Sequence, residues 1–274
     1  MSEAPISALL RQVAAIARAA GEAILTVYRE DFEVMHKSDS SPVTAADLAA
    51  QRVIVAALAQ LELVLPVLSE EACAAAWSER QTWQRYWLVD PLDGTREFVK
   101  RNGEFSVNIA LIDNHRPVLG VVLAPVGGEL YAAAAGQGAW LQVQADEPWL
   151  GIVTRDLAKP PMVAGSRSHG GRGLPLLQAL LGDDFQSRPL GSSLKFCLIA
   201  RGEADVYLRR GPTSEWDTAA AQCVLEEAGG AVLDLQGEPL RYNRGESLLN
   251  PEFIAVGDRA IDWSGRLREL VVDG

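Results

Sequence analysis

Four acidic residues, Glu70, Asp90, Asp93 and Asp217, stand where chain elements are expected to begin or end, and each offers hard oxygen donors. Two of them share the stretch Asp90-Pro91-Leu92-Asp93-Gly94-Thr95, directly after the apolar run Trp87-Leu88-Val89, which reads as the end of a buried strand. An unpaired carboxylate is costly to bury, so a strand that delivers two of them to one point requires hydrogen-bond donors or a metal ion. Pro91 fixes φ and has no N–H to satisfy. Gly94 permits a sharp turn or a close backbone approach, and Thr95 brings a hydroxyl beside the pair. An all-oxygen set suits Mg2+ better than Zn2+, and the main-chain carbonyl of Leu92 is available as a fifth oxygen. Two bridged metal ions would serve hydrolytic phosphoryl transfer, one activating water and the other stabilising the leaving oxygen.

Each acid also has a plainer reading. Asp47 follows Thr44 by three residues at the start of an apolar-periodic segment, which is a capping box. Ser69-Glu70-Glu71 reads equally well as a helix start, with a capping serine and two acids in the first turn. Composition and spacing do not by themselves bring Glu70, Asp90, Asp93 and Asp217 together.

The elements that must position these residues are legible in the periodicities. Ile6, Leu9, Leu10, Val13, Ile16, Ala17, Ala20, Ile24 and Tyr28 predict an amphipathic helix over residues 6–29. A short strand over 32–37 and a turn at 38–42 precede a second helix from Thr44 to about Leu61. Residues 72–85 read as helix and loop. Strands over 105–112, 117–124, 130–135 and 139–143 suggest an antiparallel meander. Beyond 145–148, the expected seam between residues 1–147 and 148–274, the pattern alternates. Strands are expected at 162–165, 185–189, 204–208, 231–234 and 253–256. Helices are expected at 174–181, 193–201 and 218–227 and at the C-terminus. The fold class is therefore α/β, with an α+β first half and an α/β second half.

The totals exclude some classes of function. A formal net charge of −11, with no Lys/Arg run, is the wrong sign for a nucleic-acid polymer partner. A small polyanion would need metal ions or a few placed cations. Cys73, Cys197 and Cys223 are widely spaced with no CxxC pair, which suits reduced thiols in a cytoplasmic protein. The first residues lack a basic n-region, and Arg11 and Arg18 interrupt the segment that follows, so neither a signal peptide nor a transmembrane segment is expected. Peripheral inner-membrane association, and a monomer or a homodimer, are all left open.

The chain resembles the inositol monophosphatase superfamily of Mg2+-dependent, lithium-sensitive phosphatases. Asp90-Pro91-Leu92-Asp93-Gly94-Thr95 is similar to its D-P-[IL]-D-G-T signature, and Trp216-Asp217-Thr218-Ala219-Ala220 to its W-D-x-A-A element. Ser41-Pro42-Val43-Thr44-Ala45-Ala46-Asp47 resembles its P-V-T-x-x-D element and Glu70-Glu71 its glutamate pair, all in the family's order. The resemblance implies a layered αβαβα sandwich. It implies that Glu70, Asp90, Asp93, Asp217 and the Leu92 carbonyl hold two or three Mg2+ ions. It implies that Asp47 and Thr95 form a catalytic dyad that orients and deprotonates the attacking water.

Within the superfamily, three strings resemble the bisphosphate nucleotidase branch: Gly191-Ser192-Ser193-Leu194-Lys195, Tyr207-Leu208-Arg209 and Ser166-Arg167-Ser168-His169. That likeness implies hydrolysis of the 3′-phosphate of adenosine 3′,5′-bisphosphate to AMP and phosphate. The implied substrate contacts are Gly94, Thr95, His169, Ser192, Lys195 and Arg209, with Ser192, Lys195 and Arg209 on the 5′-phosphate. An inositol or sugar phosphate monoesterase on the same fold, and a non-catalytic nucleotide- or metal-binding protein, are the alternatives. His36 and His115 are read as structural, and Arg96 has no assigned role.

Overall fold

In the computed structural model the described residues are 6–30, 34–36, 42–72, 75–165 and 173–272, with the backbone alone described at 34–36, 42–43 and 271–272. The first apolar stripe forms α1 (Ala8–Arg29), started by Ser7, whose hydroxyl accepts the Leu10 N–H. A two-stranded antiparallel sheet, β1 (Val34–His36) and β2 (Pro42–Thr44), leads into α2 (Ala45–Leu58). Next come β3 (Val67–Ser69), a 3-10 turn (Glu70–Ala72), α3 (Trp77–Arg80) and β4 (Arg85–Asp93). After α4 (Thr95–Val99) the expected meander follows as β5 (Ser106–Asp113), β6 (Arg116–Leu123), β7 (Leu130–Ala134) and β8 (Ala139–Gln142). β9 (Leu150–Ile152) pairs with β8 at the edge of this sheet.

The second half runs β10 (Met162–Gly165), α5 (Leu174–Leu181), β11 (Gln186–Pro189), α6 (Leu194–Ala200) and β12 (Val206–Arg209). It continues with a 3-10 turn (Glu215–Asp217), α7 (Ala219–Glu227), β13 (Ala231–Asp234), β14 (Phe253–Val256) and α8 (Trp263–Val272). The first sheet has the order β3-β4-β5-β6-β7-β8-β9 and the second β11-β10-β12-β14-β13.

Strand alternation sorts the cores into layers. On β4 and β5, Trp87, Val89, Ile109 and Leu111 face α1 and α2, while Tyr86, Leu88, Ala110 and Ile112 face α6 and α7. The same inner core continues into Tyr207, Val232 and Phe253 of the second sheet, whose other face packs on α5 and α8. The result is the expected αβαβα sandwich. One glycine sets a layer spacing: a Cβ at Gly120 on β6 would lie 2.2 Å from the Ala220 carbonyl oxygen of α7. Only glycine lets that helix approach the sheet so closely.

Two sequence expectations are corrected. The strand does not end at Val89 but runs through both acids to Asp93. Ser69 ends strand β3 instead of capping an α-helix, and Glu70 opens a 3-10 turn. The meander is antiparallel as expected, with β5 to β8 pairing in sequence, and β3 joins the same sheet in parallel with β4. Among the described residues no helix is long and apolar enough to cross a membrane.

Candidate active site

The spacing of Asp90 and Asp93 poses a geometric problem that the strand solves locally. Residues three apart on a regular strand point to opposite faces. Asp90 lies opposite Asn108 and Asp93 opposite Ser106, so three steps on β4 match two on β5. This β-bulge at Pro91-Leu92 absorbs the extra residue and returns both carboxylates to the same side of the sheet. Proline is tolerated there because the ladder is already interrupted.

β3 supplies the next acid. Ser69 is in register with Val89, so Glu70 emerges beside Asp90. Asp217 arrives from the second half, at the end of the 3-10 turn that precedes α7, and its Oδ2 accepts the Ser214 N–H at 2.9 Å. Carboxylate oxygens of Glu70, Asp90 and Asp217 all lie within 4.8 Å of one another. Asp93 is not part of that tight group; its Oδ2 accepts the Ser193 N–H at 2.6 Å.

The electrostatics of this cluster are unfavourable without a cation. Burial, and then the neighbouring Glu70, Asp93 and Asp217 carboxylates, push the Asp90 pKa well above the ordinary carboxylate range. Burial and Asp93 do the same to Asp217. Asp93 is pushed up to about 6, its burial outweighing the opposing Lys195 ammonium and Ser193 N–H. Asp90 Oδ1 accepts the Leu92 N–H at 3.0 Å, but among the described residues the buried Asp90 Oδ2 has no hydrogen-bond partner. Convergent hard oxygens and an orphaned buried carboxylate oxygen are what a divalent cation would satisfy.

Asp47 and Thr95 also meet. Thr95 Oγ1 lies 3.2 Å from Asp47 Oδ1 and 3.4 Å from the Leu92 carbonyl oxygen. Asp47 Oδ2 accepts the Thr44 N–H at 2.7 Å and the Thr44 hydroxyl at 2.8 Å, within a complete capping box. The two readings of Asp47 are therefore not exclusive: one oxygen caps α2 while the other faces Thr95. Burial raises the Asp47 pKa against these hydrogen bonds. Gly94, at φ 93°, turns the chain between the bulge and α4.

A cationic wall lies next to the acids. Lys195 is 5% exposed, on the first turn of α6. Its ammonium donates to the Leu190 carbonyl at 3.2 Å and to the Ser192 carbonyl, and lies 5.1 Å from the centre of the Tyr207 ring. Burial lowers its pKa to about 8, with Asp93 opposing. Ser192 sits at φ 51° in the turn before α6. Arg209, from the end of β12, donates to the Gly211 and Pro212 carbonyls and acts electrostatically on Asp93, Asp217 and Lys195. His169 and its neighbours Ser166, Arg167 and Ser168 lie outside the described residues. His115 bonds the Tyr242 carbonyl through Nδ1 at 2.8 Å.

Several contributors have no role assigned by the sequence: Ser193 and Tyr207 lie within the quoted strings, while Ser106, Asn108 and Glu104 lie in no motif. Ser193 joins the two halves: its N–H meets Asp93, and its hydroxyl lies 2.8 Å from Ser106 Oγ and 2.7 Å from Asn108 Oδ1. Ser106 and Asn108 are polar residues on a buried strand, which is the signal that marks them. Glu104 accepts the Gly191 N–H at 2.9 Å and so fixes the turn before Lys195. Tyr207 forms the floor beneath Lys195.

Known proteins share this fold and much of this sequence. The model of the inositol monophosphatase family matches residues 7–262. The 3′(2′),5′-bisphosphate nucleotidase CysQ of Escherichia coli K12 is 52% identical over 247 residues, covering 89% of this chain and 98% of its own. CysQ of Haemophilus influenzae is 39% identical, covering 93% of this chain and 95% of its own. The crystal structure of CysQ from Bacteroides thetaiotaomicron, described as a bacterial member of the same family, superposes with a TM-score of 0.78 at 42% identity. That match covers 91% of this chain and 97% of that one. With the layered fold, the bulged acid pair and this breadth of similarity together, the chain belongs to the inositol monophosphatase family.

Proposed function

We propose that this chain is a 3′(2′),5′-bisphosphate nucleotidase, which uses water to hydrolyse the 3′-phosphate of adenosine 3′,5′-bisphosphate to AMP and inorganic phosphate. The observation that carries the reading is Lys195, an ammonium held in a buried position beside the acid cluster. A simple monoester has no second phosphate to justify that cost, whereas a bisphosphate does. The 52% identity to a nucleotidase of that name supports the same substrate.

Glu70, Asp90, Asp93, Asp217 and the Leu92 carbonyl would hold Mg2+, two or three ions in number. Bound there, Mg2+ would offset the carboxylates, lower the pKa of a water and stabilise charge on the departing oxygen. Thr95 donates its hydroxyl proton to Asp47, which leaves its oxygen lone pairs to accept a proton from the attacking water. Asp47 holds that orientation because Thr44 occupies its second oxygen. Lys195, Ser192 and Arg209 hold the 5′-phosphate, His169 contacts the nucleotide, and Gly94 and Thr95 contact the phosphate under attack. Residues 1–147 thus bring most of the metal ligands and the Asp47–Thr95 pair, while 148–274 bring the nucleotide contacts and Asp217. We place the reaction in the cytoplasm, where the buried thiols of Cys197 and Cys223 stay reduced.

The test is phosphate release by the purified protein in Mg2+ with adenosine 3′,5′-bisphosphate and with inositol 1-phosphate. The bisphosphate is expected to be strongly preferred. Negligible turnover of it, with rapid release from inositol 1-phosphate, refutes the assignment.

A further inference from the structure

A second polar network lies buried behind the acid cluster, and the reaction described above does not use it. Glu215 is 4% exposed, Arg80 3% and Asn243 1%. Both carboxylate oxygens of Glu215 accept the Asn243 N–H at 2.8 Å. Asn243 and Arg80 bond each other reciprocally: Arg80 Nη1 donates to Asn243 Oδ1 at 2.7 Å, and Asn243 Nδ2 donates to the Arg80 carbonyl at 2.6 Å. The Arg80 guanidinium also donates to the Gly245 and Glu246 carbonyls and stacks on Trp77, 4.9 Å from its ring centre. Asn243 holds a left-handed φ of 54° to reach both partners.

This network grips the short turn that ends in Asp217. The Glu215 N–H donates to the Leu248 carbonyl at 2.8 Å, and Ser214 forms a bridge with Leu249. Asn250 Nδ2 donates to the Ser214 carbonyl at 2.7 Å and lies 3.1 Å from Thr218 Oγ1. The loop from Tyr242 to Asn250 therefore runs alongside residues 213–218, and Arg80 ties that loop to the first half of the chain. A buried glutamate and a buried arginine contribute little net stability compared with apolar side chains of similar size. Fixing one geometry is what such a network can do that an apolar patch cannot.

We propose that Glu215 is a positioning residue. Through Asn243 and Arg80 it sets where the Asp217 carboxylate stands relative to Glu70 and Asp90, and so sets the affinity of the centre for its metal. The proposal rests on the reading of Asp217 as a metal ligand. Asp90 lies on β4, and Glu70 directly follows β3 in the same sheet, whereas Asp217 reaches the centre from outside that sheet, on a three-residue 3-10 turn closed by its capping box with Ser214. A ligand in that position depends on the groups that orient it.

The experiment is calorimetric titration of the full-length protein with MnCl2, together with the MgCl2 dependence of its initial rate. The variants are Glu215→Ala, Glu215→Gln and Asn243→Gly, with Asp217→Asn as control. Glu215→Ala is expected to weaken Mn2+ binding and raise the Mg2+ half-saturation by about tenfold or more, the range for groups that orient metal ligands. At saturating Mg2+ its KM for nucleotide barely changes. Glu215→Gln, which still accepts the Asn243 N–H, restores most of the affinity. Asn243→Gly keeps the left-handed backbone and the N–H to Glu215 but releases Arg80, and weakens Mn2+ binding in the same direction. If Glu215→Ala fails to fold, Asn243→Gly decides the question. Variants that melt at lower temperature but bind Mn2+ as the parent does overturn the proposal. If Asp217→Asn itself leaves Mn2+ binding unchanged, it is the ligand reading that falls, and the two failures are told apart.

Discussion

Replacing Lys195 by methionine separates substrate recognition from stability. The side chain is buried, and its pKa falls from 10.5 to about 8. Holding it charged in the folded protein therefore costs about 3 kcal/mol, at roughly 1.4 kcal/mol per pKa unit. The folded pKa lies below the unfolded one, so this penalty is complete below pH 8 and fades as pH rises from 8 toward 10.5. Methionine removes the penalty but leaves the Leu190 and Ser192 carbonyls without their donor, a loss of about 1 kcal/mol each. The balance is a gain of about 1 kcal/mol at pH 7, or about 2–4 °C in melting temperature.

Binding of the bisphosphate moves the other way. Truncating one partner of a buried charged contact costs about 2–5 kcal/mol, so KM should rise about 30-fold or more. Adenosine 3′-monophosphate lacks the 5′-phosphate, and its hydrolysis should barely change. The assay is phosphate release from both nucleotides at saturating Mg2+, with scanning calorimetry of the same samples. A phosphate beside the ammonium favours its charged form, so the KM of the parent protein should also rise as pH increases through 8, and the variant should lack that limb. Equal loss on both nucleotides would refute the placement of Lys195, as would a lower melting temperature without loss of discrimination.

Three further outcomes are expected. Asp90→Asn should abolish phosphate release and weaken Mn2+ binding by calorimetry, yet leave the melting temperature of the metal-free protein unchanged or higher, because it removes a buried charge with an unpartnered oxygen. Gly191→Ala places a Cβ 2.5 Å from the Glu104 carbonyl oxygen, which should destabilise the protein by about 1–3 kcal/mol in urea titrations and raise KM for the bisphosphate by displacing the turn before Lys195. Asp93 has a folded pKa of about 6, above its unfolded 3.8. In EDTA its charged form destabilises the fold above pH 6, so this residue raises the melting temperature as pH falls from 7 to 5. In Mg2+ the trend should reverse, because protons compete with the metal for the same oxygens.

Most of the architecture was legible in local pattern. The alternation of Trp87, Val89, Ile109 and Leu111 against Tyr86, Leu88, Ala110 and Ile112 specifies a sheet buried on both faces, and α1 follows from a single apolar stripe. The parallel addition of β3 beside β4 was not legible, because an apolar run reads the same in a parallel as in an antiparallel pair. The bulge at Pro91-Leu92 was hidden for a related reason: a one-residue mismatch exists only once a partner strand is in place. The acids were conspicuous as residues, but their convergence depended on resemblance, since Glu70 and Asp217 are far apart in the chain. Lys195 illustrates the opposite limit. Its burial comes from Tyr207 and two backbone carbonyls, none of which its own helix announces.

The close docking of α7 on the first sheet has a consequence for the order in which the protein matures. Asp217 stands just ahead of that helix, and α7 packs on β5, β6 and β7 across the gap that Gly120 leaves open. During synthesis Glu70, Asp90 and Asp93 emerge well over a hundred residues before Asp217. A nascent first half thus carries an open, mutually repelling set of acids that lacks the carboxylate of Asp217. Closing so long a loop is entropically costly and slow relative to local pairing. On the proposed ligand set, metal capture would be a late event, coupled to the docking of α7, and a chain truncated before residue 217 should neither retain the ion nor gain the stability that it would confer.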